Sequence, residues 1–202
     1  MSQRKTRKTR TDPADIVGDL CLLYDKEAKK CERTRAYLAG CIMLGAALEA
    51  GLLTMVLLYP EEVTHTRTYR SRKKPARDVT KWGLFDLLKV ARELSWIPSM
   101  LPIDSIARLS GVDPEVAWSK GDLSYFADFV REVRDIVHPG RYMTLWKRTR
   151  ITKNYYGVCY DVVNLVLIYF MKKLAETVQT ERLILADNVR RRQRRTKRYP
   201  PG

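Results

Sequence analysis

Ala36-Tyr37-Leu38-Ala39-Gly40-Cys41-Ile42-Met43-Leu44-Gly45-Ala46-Ala47-Leu48-Glu49-Ala50-Gly51-Leu52-Leu53-Thr54-Met55-Val56-Leu57-Leu58-Tyr59 carries a single charge, Glu49, near its middle. A segment apolar on every side is either a helix enclosed by its neighbours in a bundle or a helix that crosses a bilayer. The central carboxylate, the many Gly and Ala residues and the basic flanks at both ends weigh against the bilayer. The segment therefore reads as the buried central helix of an all-α domain, from about 33 to 59, stopped by Pro60. A carboxylate inside such a helix needs a cationic partner. An arginine from 131 to 141 is the candidate.

On the N-terminal side, Asp12-Pro13 has the form of an N-cap followed by proline at the first helical position. It opens a helix to about 31 that carries Ile16, Leu20, Leu23 and Ala28 near one face. Beyond Pro60, residues 61–80 contain Arg67, Arg70, Arg72, Lys73, Lys74 and Arg77 with few apolar residues, and read as a basic surface loop. Helical spacing resumes from Trp82 to Trp96 through Leu84, Leu87, Leu88, Ala91 and Leu94. Pro98 and Pro102 mark a turn, 103–109 a short helix, and Asp113-Pro114 a further turn. Another helix starts near Asp122, with Leu123, Phe126, Phe129, Val130 and Val133 on its apolar side. After a polar connection over 141–153, the apolar stretch from Tyr155 to Leu174 opens a last long helix reaching about 190.

The expected architecture is a bundle of about five main helices forming one domain over 12–188. A basic arm (1–11) and a basic tail (189–202) stand at its ends as flexible segments, the tail holding Arg191, Arg192, Arg194 and Arg195. No strand alternation, hairpin signature or internal repeat competes with this reading. With 202 residues, one domain with a substantial core is the expected size.

Thirty-eight Lys and Arg against 23 Asp and Glu give a net charge of +15. Such an excess points to a polyanion, nucleic acid first, although solvated ends could carry it simply for solubility. Cys21, Cys31, Cys41 and Cys159 lie within helical patterns, without a CxxC pair or a secretory signal, so the expectation is a cytoplasmic, reduced protein. Neither a structural metal nor a cofactor is expected, because the first three cysteines stand ten residues apart and the histidines are isolated. His65, in the basic segment, reads as a solvated residue.

The chemistry-bearing stretch is Arg131-Glu132-Val133-Arg134-Asp135-Ile136-Val137-His138-Pro139-Gly140-Arg141. On a helix Arg131, Arg134 and His138 share one face, and Pro139-Gly140 should stop that helix near His138. The helix end favours a protonated ring and the arginines oppose it, an arrangement suited to acid or base work near neutral pH. The same residues could equally cap carbonyls and pair with Glu49 or Asp135. Tyr69, Tyr142 and Tyr199 lie among cations and could stack on bases.

Taken in order, Ala46-Ala47-Leu48-Glu49-Ala50, Gly83-Leu84-Phe85-Asp86-Leu87-Leu88 and the Arg131 to Arg141 segment resemble the HEPN superfamily, helical domains found in many prokaryotic toxin and phage-defence proteins. The resemblance spans about 15–175. It implies a homodimer in which an Arg-x(4-6)-His motif, with a polar residue after the arginine, enters a shared cleft from each copy, and in many members metal-independent RNA cleavage. Arg131 and His138 have six residues between them and Glu132 after the arginine; Arg134 is followed by Asp135 but has only three residues between it and His138. The implied catalytic set is Arg131, Arg134 and His138, supported by Glu49, Asp135 and Arg141. Arg70, Arg72, Lys73, Lys74, Arg191, Arg192, Arg194 and Arg195 would contact nucleic acid. RNA, a second copy and a protein antitoxin are the implied partners. The rival expectation is a noncatalytic, basic, nucleic-acid-binding or complex-forming helical protein.

Overall fold

The computed structural model describes residues 12–97, 123–135 and 151–198, and among them every regular element is helical. α1 spans Pro13–Arg33, α2 Tyr37–Leu58, α3 Pro60–Thr64 and α4 Arg67–Arg70. Two 3-10 turns, Lys74–Arg77 and Val79–Lys81, lead into α5 (Leu84–Glu93), followed by α6 (Leu123–Asp135) and α7 (Lys153–Arg198). Five of these are long and two short, as the hydrophobic spacing predicts for an all-α bundle. The 1–11 arm, the turns and short helix expected over 98–122, His138, Arg141, Tyr142 and Tyr199 lie outside the described residues.

Asp12 caps α1 as its sequence predicts, its side chain accepting from the Ala14 N–H at 2.9 Å ahead of Pro13. The turn out of α1 has no glycine. Arg35 instead adopts the left-handed conformation, φ 59°, with Ala36 N–H donating to Cys31 O and Arg35 N–H to Glu32 O. That pair of bonds is a Schellman closure. α5 ends in the same way around Ser95, φ 54°, through Trp96 N–H to Ala91 O and Ser95 N–H to Arg92 O.

α2 is the centre of the bundle, packed by α1, α5, α6 and α7. Leu44, Leu48, Leu52, Met55 and Val56 are fully buried, each contributing about 1.5–3 kcal/mol of transfer free energy. Its length and apolarity would also suffice to cross a membrane, and about half of its most apolar window is covered by the rest of the chain. The glycines of α2 set how closely its neighbours approach. A Cβ on Gly45 would fall 2.8 Å from Arg134 Cβ, and one on Gly51 2.7 Å from Leu167 Cδ2. α6 and α7 thus rest directly on the α2 backbone at those points.

Two expectations need correction. Residues 61–80 are not an open loop but a chain of short helices and 3-10 turns, because local caps and aromatic contacts satisfy their backbone. Thr66 Oγ1 accepts from Tyr69 N–H at 3.2 Å, and Trp82 Nε1 donates to Ala76 O at 2.9 Å. The Glu93 carboxylate accepts from Arg67 and Thr68 N–H at 2.5 and 3.1 Å, covering the start of α4 from the far end of α5. The second correction concerns the C-terminal boundary. α7 runs unbroken through the arginine-rich stretch to Arg198, where a flexible tail was expected from 189. Arg, Gln and Lys are good helix formers, and no Gly or Pro interrupts the run before Pro200.

α7 buries Tyr156, Cys159, Val162, Val163, Val166 and Phe170 against the bundle. Its last described ties to the bundle are Lys173, whose Nζ lies 3.0 Å from both Glu62 oxygens, and Thr177, bonded to Tyr59 Oη at 2.9 Å. The helix then continues for about 32 Å at 1.5 Å per residue.

Candidate functional site

α6 brings Arg131 and Arg134 to α2 and α5. The stem of Arg134 lies across Gly45, and its Nη2 meets Glu49 Oε2 at 2.6 Å, one turn further along α2. The half-buried carboxylate therefore has the arginine partner its position demands. Burial nevertheless outweighs that partner, and the Glu49 carboxyl is held above the usual glutamate value. Arg134 and the Leu84 N–H pull it down, while Asp135 adds to the rise.

Arg131 is enclosed more tightly. Its Nε lies 3.3 Å from Asp128 Oδ1 and its Nη1 3.6 Å from Asp135 Oδ2, with Glu132 at 4.0 Å. Asp128 also receives Arg92 Nη2 at 2.5 Å from α5. Three arginines are thus interleaved with Glu49, Asp128, Glu132 and Asp135, and the cluster as a whole is not strongly positive. Its clearest role is to tie α6 to α2 and α5. Asp135, one of the implied supporting residues, pairs with Arg131. His138 and Arg141 lie outside the described residues, so the complete motif is not on view.

Sequence reading missed the α5 side of this site. Phe85, Lys89 and Arg92 recur at i, i+4 and i+7 and so share one face. The Phe85 ring is 46% exposed, with Lys89 Nζ 4.2 Å and Arg131 Cζ 5.3 Å from its centroid. The periodicity was present in the sequence, but it coincided with an apolar pattern that accounted for the helix without it.

The basic segment adjoins this face. Arg72 pairs with Asp86, next to Phe85, and lies over the Trp82 ring at 5.0 Å. That ion pair anchors the exposed Lys73 and Lys74 beside the first turn of α5. Arg70 is exposed and its Nε donates to Thr64 O at 3.4 Å. Tyr69 packs against Trp82 and under Arg77, so it contributes to the local core. His65 Nδ1 lies 2.7 Å from Glu61 O at the end of α3. Arg191, Arg192, Arg194 and Arg195 fall in the last turns of α7. Among the described residues no cluster of His, Cys, Asp and Glu is arranged to hold a metal ion.

No protein-family model, curated protein or solved structure matches this chain.

Proposed function

We propose that this chain is an RNA-binding helical protein, and that the Phe85 face is its principal contact surface. The observation that carries the reading is the half-exposed Phe85 ring between Lys89 and Arg131, beside the exposed Lys73 and Lys74. The ring can accept a base by stacking, and the exposed Lys73, Lys74 and Lys89 the adjoining phosphates by charge. The last turns of α7, with Arg191, Arg192, Arg194 and Arg195, supply a second cationic element. RNA is named as the polyanion on the strength of the HEPN resemblance, and a cytoplasmic setting goes with it.

The test is fluorescence anisotropy of a labelled single-stranded RNA across a salt series, with the full chain and the Phe85→Ala/Lys89→Ala variant. Loss of one stacked base at about 1–3 kcal/mol weakens binding by roughly 5- to 150-fold. Loss of a phosphate contact also makes the salt slope shallower. Unchanged affinity in the folded variant would sink the reading.

Metal-independent cleavage by Arg131, Arg134 and His138 is the second reading. It is favoured by the geometry of Arg134, which is held at 2.6 Å by Glu49 while its side chain stays 33% exposed. Such a pre-positioned guanidinium can stabilise a phosphorane-like charge. Cleavage of an RNA pool in EDTA, abolished by His138→Ala without loss of helicity, would make the protein an endoribonuclease. Binding without cleavage leaves the first reading standing.

A further inference from the structure

Between the start of α1 and the last turns of α2 lies a groove of about 350 Å³, lined by Ala14, Asp15, Gly18, Asp19, Thr54 and Leu58. Leu58, on its wall, is 43% exposed. At Gly40 and Gly51 a side chain of α7 lies 2.7 Å from where a Cβ would stand, but a Cβ on Gly18 would be 3.9 Å from Thr54 Cγ2, an ordinary contact. The packing of α1 on α2 therefore does not require this glycine, which weakens a helix interior relative to alanine. It leaves a notch with room for an occupant.

The rim of the groove is acidic in a chain of net charge +15. Asp15 and Asp19 stand one turn apart and both are exposed. The ion pairs of α1, Lys29–Asp25 and Lys30–Glu27, lie in its second half, and no cation among the described residues pairs with Asp15 or Asp19. The positive end of the helix dipole accounts for an acid at 15, in the first turn, but not at 19. Thr54 Oγ1 already donates to Ala50 O at 2.9 Å, so the walls offer apolar surface and the rim two carboxylates. A lysine or arginine fits both, its stem along Ala14 and Leu58 and its head at a carboxylate.

We propose that the groove holds this chain's own N-terminal segment, residues 1–11. That segment carries Arg4, Lys5, Arg7, Lys8 and Arg10 and no acid, and it joins α1 at Asp12, beside the groove. Attachment at that point gives it an effective concentration that no separate cation matches. Asp19 lies about 10.5 Å along the helix from Asp12 at 1.5 Å per residue. A chain turned back from Asp12 and extended at about 3.3 Å per residue covers that distance in about three to four residues. Arg10 then comes level with Asp15, and Arg7 and Lys8 with Asp19. Seated there, the segment is partly neutralised, and a polyanion gains its cations only by displacing it from the rim. This inference does not depend on the Phe85 face or on RNA being the ligand, and it holds or fails independently of the binding reading.

Zero-length cross-linking of the full chain with a carbodiimide, which joins a lysine amine to a carboxylate in contact with it, tests the seat. Peptide mass spectrometry should find Lys5 or Lys8 joined to Asp15 or Asp19. In an equal mixture of heavy-nitrogen and unlabelled protein, each linked peptide should be all heavy or all light. Trypsin cleavage after Arg7, Lys8 and Arg10 should be about twofold or more faster in Asp15→Asn/Asp19→Asn than in the parent protein, with circular dichroism unchanged. In about 1 M NaCl the two rates should converge. Because both carboxylates are exposed, the variant has no reason to unfold. Absence of these cross-links, linked peptides of mixed isotope, which would place a second copy's segment in the groove, or equal cleavage rates at low salt would each overturn the proposal.

Discussion

Replacing Gly45 by alanine tests whether the contact between α2 and α6 is as close as the geometry requires. A methyl there would lie 2.8 Å from Arg134 Cβ, 3.0 Å from Cδ and 3.1 Å from Cγ. Normal carbon contacts are about 3.5–4.0 Å. The Arg134 tip can swing away, but its Cβ can retreat only with the α6 backbone, so the helix has to move. Overpacking of this kind costs about 1–3 kcal/mol. Alanine offsets about 1 kcal/mol of that through its better helix propensity, leaving a net loss of up to about 2 kcal/mol by the same estimates.

Gly157 of α7 provides the control. A Cβ there meets no atom within 4 Å, so Gly157→Ala should gain the propensity term alone, about 0.5–1 kcal/mol. Urea denaturation followed by circular dichroism should therefore place Gly157→Ala above the parent protein and Gly45→Ala below it. If Gly45→Ala proved as stable as Gly157→Ala, the close seat of α6 on α2 would be wrong, and with it the account of how Arg134 reaches Glu49.

Three further outcomes are expected. The Glu49 carboxyl titrates above 4.5, its ordinary value, so the folded state binds the extra proton just above that pH. Its contribution to stability is full below 4.5 and is lost as pH rises through the raised value; Glu49→Gln should flatten that slope in denaturation series, and an unchanged slope would count against the burial argument. Arg35→Gly and Ser95→Gly should each raise the unfolding free energy by about 0.5–1 kcal/mol, because glycine takes the left-handed conformation freely; a loss in either would contradict the Schellman assignments. Glu62→Ala removes the carboxylate that receives both Lys173 and the Trp96 Nε1–H and should cost about 1–3 kcal/mol. Glu62→Gln, which can still accept from Trp96, should cost less, and equal losses would place the effect in the Lys173 pair alone.

The α2 segment announced both its helix and its burial through composition, and Glu49 announced its need for a cation. The partner's identity was beyond sequence reading, since Arg131, Arg134 and Arg141 were equivalent candidates. Gly45 decided it by admitting the Arg134 stem, and a lone glycine in an apolar helix gives no notice of which neighbour will rest on it. The basic character of 61–80 was equally plain. Its folding into capped turns was not, because the decisive acceptor, Glu93, lies more than twenty residues away. Phe85 lies off the Leu84, Leu87, Leu88, Ala91 and Leu94 face that the spacing picks out and is half-exposed, and a 3.6-residue period identifies an apolar face without saying what a ring beside it will meet.

By itself the sequence determined what local and compositional physics controls: an all-helical chain, a central apolar helix, the Asp12-Pro13 start and a large positive charge. Hydrophobic period, capping chemistry and net charge act over a few residues or over the whole chain, so no coordinates are needed to read them. The tertiary structure decided which arginine meets Glu49, which carboxylates neutralise Arg131, and which aromatic and apolar side chains stay exposed. Those outcomes depend on contacts between residues remote in sequence, where a few tenths of an ångström at Gly45 or Gly51 determine what can approach.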